Sequence, residues 1–148
     1  MFFDTITSLQ MTNVYDHGVP NLERIAIYVR EPCDLGEYCL FIGLPAADGS
    51  VAPIKDHMLW FGNGFVNAGD WIFVYTASGN TTVQPNGLPS AGSSIQPRLI
   101  NIHWGKEHTM FQNRALVPML IKMNGLSMPA VPQPSYQGPA NPKQHRLY

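Results

Sequence analysis

Residues 57–80 read HMLWFGNGFVNAGDWIFVYTASGN. The stretch holds two tryptophans (Trp60, Trp71), three phenylalanines (Phe61, Phe65, Phe73) and Tyr75. The breaks GNG (62–64) and NAGD (67–70) cut it into short apolar runs. Short runs rich in aromatic and β-branched residues and bounded by turn residues read as strands. In WIFVY, alternation places Trp71, Phe73 and Tyr75 on one face and Ile72 and Val74 on the other. Both faces are apolar, whereas a strand in a two-sheet sandwich ordinarily turns one face to water. The second face therefore needs a cover, either the chain's own loop or arm or another subunit.

Working outward, the same pattern repeats. ERIAIYVR alternates Ile25, Ile27 and Val29 with Arg24, Ala26 and Tyr28, and Pro32 ends it. EYCLFIGL, HMLWFG and RLINIHWG read as further strands, and ALVPMLIKM as one whose internal Pro118 marks an edge or a bulge. Helical periodicity is nearly absent; ITSLQMTNVY reads as a short turn or arm. Short strands joined by turns, with no crossover helices between them, predict an all-β fold. The expected form is an antiparallel Ig-like or jelly-roll-like β-sandwich over residues 22–126, with an N-terminal arm or short element over 1–21. An extended Pro-rich C-terminal arm is expected over 127–148, because prolines at 129, 132, 134, 139 and 142 exclude helix and central strand. Val131, Tyr136, Leu147 and Tyr148 are its candidate anchors. A Gly-, Ser-, Pro- and Asn-rich loop from Gly79 to Pro97 is long enough to be functional.

Charged residues make up only 13% of the 148, against a usual share of about a quarter. Such a deficit fits a surface that is covered in use, or one built from Ser, Thr, Asn and Gln. The ten acids all lie between Asp4 and Glu107 with five basic residues, giving 5 − 10 = −5; beyond Glu107 stand only Arg114, Lys122, Lys143 and Arg146, giving +4. An acidic body with a basic end favours head-to-tail contact between copies or docking onto an acidic neighbour. Four basic residues are too few for a nucleic-acid footprint, and no segment has the length of a membrane span. MFFDTITSLQ lacks a positive n-region and a long apolar run, so no secretion signal is expected.

Catalytic motifs are missing from the sequence. GNG is followed by a strand rather than a helix, so it reads as a hairpin turn with positive φ at Asn63-Gly64 and not as a phosphate loop. His103 and His108 flank Glu107 in HWGKEH, but the two histidines would face opposite ways, and a metal needs three or four convergent ligands. Cys33 and Cys39 read as two reduced, half-buried thiols, with a disulfide across a tight hairpin as the alternative. No enzyme activity, cofactor or metal is expected. Trp60, Trp71, Trp104, Asn63 and Asp70 have the chemistry of a sugar-binding surface, although large aromatics on strands are more often core.

The order of ERIAIYV, DLGEYCLFIGL, LWFGNGFVNAGDWIFVYTASG, NIHWG and TMFQN resembles a lamin-tail-type Ig-like domain over roughly residues 22–126. The matching positions are Gly62, Gly69, Asp70, Trp71, Val74, Tyr75, Trp104 and Asn113, and the closing FQNRALVPMLIKM departs from that family's ending. The resemblance implies an interaction module and transfers no catalytic residue; similar stand-alone sequences occur among tailed phages and bacteria. The expected function is a non-enzymatic bacteriophage virion protein, a capsid decoration or cement protein. Its expected partners are the major capsid protein or tail subunits, with homo-oligomerisation, and its contacts run through the arm and the Trp71, Phe73 and Tyr75 face. The alternatives are a tail or neck adaptor, a fibre-anchoring protein, or a carbohydrate-binding module.

Overall fold

The structure, a computed structural model, describes residues 4–89 and 91–130. A five-stranded sheet has the order β1-β2-β7-β9-β8 and a three-stranded sheet the order β10-β4-β5. The first is built from β1 (Leu9–Tyr15), β2 (Arg24–Val29), β7 (Trp71–Tyr75), β8 (Thr82–Pro85) and β9 (Arg98–His103). The second is built from β4 (Tyr38–Pro45), β5 (Val51–Trp60) and β10 (Val117–Lys122). A small ribbon of β3 (Cys33–Asp34) and β6 (Phe65–Val66) and a single 3-10 turn, Leu35–Glu37, lie between them in the chain.

Alternation decides which side chains meet between the sheets. Ile25, Ile27 and Val29 of β2, Ile72 and Val74 of β7, and Ile100 and Ile102 of β9 share one buried cluster with Tyr38, Leu40 and Ile42 of β4. Because a single cluster draws on both sheets, the fold is a β-sandwich, as the strand pattern predicts. Each fully buried Ile or Val contributes about 1.5–3 kcal/mol over its exposed state. Phe111, from the connection before β10, fills the same core at 1% exposure.

The structure differs from the sequence reading at four places. The stretch ITSLQMTNVY contributes a seven-residue edge strand, β1, paired antiparallel with β2. The Gly79–Pro97 loop contains β8, and a bond from Asn86 N to Pro97 O closes the neck of what remains. One strand pair, β7 with β9, is parallel. No helix is needed for it, because the chain leaves β7, skips one position to form β8, and returns antiparallel to β8 so that β9 fills the gap. In GNG the positive φ falls on Gly62, at 81°, and not on Asn63-Gly64. Pro118 stands in the edge strand β10, where its missing N–H leaves no bond unmade inside the sheet.

Two buried carboxylates tie the loops to the sheets. Glu23, 1% exposed, accepts hydrogen bonds from the Gly18, Met110 and Phe111 amides and from the Thr76 hydroxyl. One side chain thereby joins the β1–β2 turn, the end of β7 and the segment around Phe111. Asp70, 0% exposed, accepts from the Asn67 and Arg98 amides and pairs with the Arg98 guanidinium at 2.8 Å. It closes the NAGD turn, where Gly69 takes φ 95°, and anchors the start of β9.

Candidate functional site

Register fixes what each sheet turns outward. On the five-stranded sheet, Tyr28 opposes Trp71, Ala26 opposes Phe73 and Arg24 opposes Tyr75. Across β9 the same row continues with Leu99, Asn101 and His103. Trp71, Phe73 and Tyr75 are each half-buried, and they lie on one face as alternation requires. Trp71 packs against Tyr28 at 5.1 Å and against the edge of Phe73 at 6.4 Å between ring centroids. Tyr75 stacks on His103 at 5.1 Å. The Arg24 guanidinium lies over Tyr15, Phe73 and Tyr75 at 5.2, 5.3 and 5.9 Å, while its Nη1 donates to Asp16 at 2.7 Å. Contacts of this kind add about 0.5–1 kcal/mol each where solvent reaches them. Beside these rings runs a groove of about 300 Å³ lined by Tyr15, Arg24, Trp71, Phe73, Asn86 and Leu99.

The outward face of the three-stranded sheet has a different chemistry. Cys39 opposes Trp60 and Ile121, and Phe41 opposes Met58 and Met119. Met58 is 52% and Trp60 48% exposed, while Phe41, Met119 and Ile121 are half-buried. Met123 extends the patch, its thioether 3.6 Å from the Cys39 thiol. The one polar group these rings and thioethers carry, the Trp60 indole N–H, donates to Gly36 O at 2.8 Å. Burial pushes the Cys39 thiol up from its ordinary value. Cys33 and Cys39 are both free thiols.

A third region lies at the end of β9. A hollow of about 590 Å³ is lined by Thr76, Ser78, Lys106, Glu107, His108 and Gln112, among others. Four residues of β5, from Ile54 to His57, bulge out of the pairing with β4, and Asp56 takes φ 66° there. The bulge brings His57 Nδ1 to 2.6 Å from Lys106 Nζ, which also lies over the Trp104 ring at 5.5 Å. Burial pulls the Lys106 ammonium below its usual range, with Asp56 opposing. This lysine stands inside HWGKEH, where only His103, Glu107 and His108 are candidates by sequence. No group of three or more His, Cys, Asp or Glu among the described residues could hold a metal.

The sugar-binding set suggested by sequence does not assemble. Asp70 is buried and committed to Arg98; Trp60 is on the three-stranded sheet, Trp71 on the five-stranded one, and Trp104 packs against the core. His103 and His108 are separate, one stacked on Tyr75 and the other lining the hollow beyond Gly105. Val131, Tyr136, Leu147 and Tyr148 lie outside the described residues. What sequence reasoning missed is the apolar β4–β5–β10 face, whose signal was present as the odd-numbered residues 39, 41, 119 and 121. No protein-family model, curated protein or solved structure matches the chain.

Proposed function

We propose that the chain is a non-enzymatic assembly protein, and most concretely a bacteriophage capsid decoration protein that works by burying both outer faces of its sandwich against neighbouring subunits. The observation that carries this reading is that both sheets carry large apolar side chains in their outward rows: one presents Trp71, Phe73, Tyr75 and Tyr28 among polar neighbours, the other Trp60, Met58, Phe41 and Met119. A monomer with charge this sparse rarely leaves two such patches open. Each Å² of apolar surface removed from water would add about 25 cal/mol before the entropy of association is subtracted. Repetition of a modest contact over a symmetric shell multiplies it. The virion assignment is supported by the lamin-tail-like segment order and by the acidic body with its basic end.

The test is mass spectrometry of purified particles from the source lysate, followed by rebinding of the full chain and of Met58→Glu. Copy number near that of the major coat protein, with rebinding lost in the variant, supports the decoration role. A few copies per particle moves the protein to the neck or tail, and absence from particles ends the virion reading. A carbohydrate-binding module is the second reading, favoured by the rings standing beside Asn101, Gln84 and Thr82 on one face. It requires that the full chain bind glycans on an array and that Trp71→Ala abolish this binding without unfolding.

A further inference from the structure

We propose that the aromatic groove of the five-stranded sheet receives the proline-rich C-terminal segment of a second copy of this chain, joining subunits arm to face. The groove's lining and the sequence and charge of the terminal segment lead to that occupant. The groove has ring walls, Tyr15, Trp71 and Phe73, with Arg24 and Asn86 among them. Grooves of this kind take extended proline-rich segments, pyrrolidine rings against aromatic faces and segment carbonyls on flanking donors.

The chain itself supplies the complementary segment. Pro129-Ala-Val-Pro132 and Pro139-Ala-Asn-Pro142 repeat the P-x-x-P spacing. In a polyproline II helix of three residues per turn this spacing sets both prolines on the same side. The segment carries Lys143 and Arg146 and no acid, whereas residues 1–107 carry 5 − 10 = −5. That asymmetry draws the end of one copy to the body of another.

A second copy as the source of the segment fits the place where the chain leaves the sandwich. Strand β10 is an edge of the opposite sheet, and its exit is fixed by the bond from Met123 N to Glu37 O. Residues 124–130 are exposed, with Leu126 at 85%. Beyond Lys122 stand 148 − 122 = 26 residues. At about 3.1 Å per residue in polyproline form they have ample reach to a neighbour.

The inference rests on the outer faces being contact surfaces, and sedimentation equilibrium of the full chain tests it separately from particle binding. One variant, Trp71→Ala, disables the groove; another, with Pro132→Ser, Pro134→Ser and Tyr136→Ser together, disables the segment outside the core. The full chain is expected to self-associate with a concentration dependence, and each variant to do so at least about tenfold more weakly. An equimolar mixture of the two variants should regain association as a complex of two chains, because one brings an intact segment and the other an intact groove. If Trp71→Ala loses its near-ultraviolet circular dichroism, Tyr15→Ser replaces it. A monomeric full chain overturns the proposal, whether the groove is then filled by its own segment or by a glycan. Association unaffected by the segment variant overturns it equally. Particle binding that survives either result leaves the assembly reading standing while this inference falls.

Discussion

The two outer faces of the sandwich rest on the same core and obey the same alternation, yet they are built for different contacts. The five-stranded face mixes rings with directional groups, the Arg24 guanidinium, Asn101 and His103. The three-stranded face offers thioethers, rings and aliphatic chains, with the indole N–H of Trp60 already spent on Gly36. Directional donors select a partner by its backbone and orientation, while polarizable thioethers adapt to any apolar surface of suitable shape. Strand pairing dictates that both faces exist; only the outward residues decide what each can hold.

The largest effect is expected where the comparison is broken from beneath. Asp70→Ala strips Arg98 of its buried partner and frees the NAGD turn from which β7 starts. Loss of one partner from such a pair typically costs 3–5 kcal/mol, and about 3 kcal/mol is expected here because Arg98 is one-third exposed. Urea denaturation at neutral pH measures it; a loss below about 1 kcal/mol would show that β9 is held without this hub. Glu23→Gln follows closely. Its amide would present a donor to an array of four donors, and a loss of about 2 kcal/mol is expected by the same measurement.

The faces themselves are sharpened by setting outward against inward residues. Ile72→Ala, at a fully buried position between the sheets, should lower stability by about 3 kcal/mol. Trp71→Ala and Trp60→Ala, one on each outer face, should lower it by only about 1–2 kcal/mol, since both rings already contact water. Denaturation of the three variants in parallel decides the matter. Equal losses at all three would make the tryptophans core residues and remove the reason to regard either face as a contact surface.

How far these features were legible in the sequence depends on periodicity. Period-2 alternation gives β2, β4, β7 and β9 directly, because each buries one row of branched residues. β1 escapes it: Gln10, Thr12 and Asn13 make its apolar row look discontinuous, and a register shift between Met11 and Asn13 breaks the alternation. β8 escapes it because a four-residue edge strand, TVQP, buries nothing. The parallel β7–β9 pair depends on a skipped strand position, which no local pattern encodes. Of the candidate site, Trp71, Phe73 and Tyr75 were visible as one row of one strand. Arg24, Asn101 and His103 join them only through pairing across three strands, and the hubs Glu23 and Asp70 only through contacts distant in sequence.

The smallest expected effect is an alkaline one, and it separates the thioether face from the hollow. Burial raises the Cys39 thiol on that face above 9.0, does the same for Cys33, and raises the Tyr38 phenol above 10.0. A folded-state pKa above the unfolded one means stability that is fully present below the unfolded value and lost as pH rises through the folded one. The two thiols therefore weaken the fold from about pH 9 upward, and the phenol only from about pH 10 upward. Lys106 acts in the opposite sense: burial lowers its folded pKa below 10.5, so the penalty on its charged form is complete at neutral pH and is relieved as pH climbs toward 10.5. Lys106 therefore opposes the two thiols, and the urea midpoint is expected to fall as pH rises above about 9, where the thiols act. Cys39→Ala should flatten that fall, because it removes a buried thiol from an apolar face without unpairing anything but the Met123 contact. Lys106→Met should steepen it by deleting a contribution that improves as pH climbs toward 10.5. A midpoint that moves identically in both variants would mean that the alkaline response comes from neither the face nor the hollow, and the chemical contrast between them would then have no part in stability.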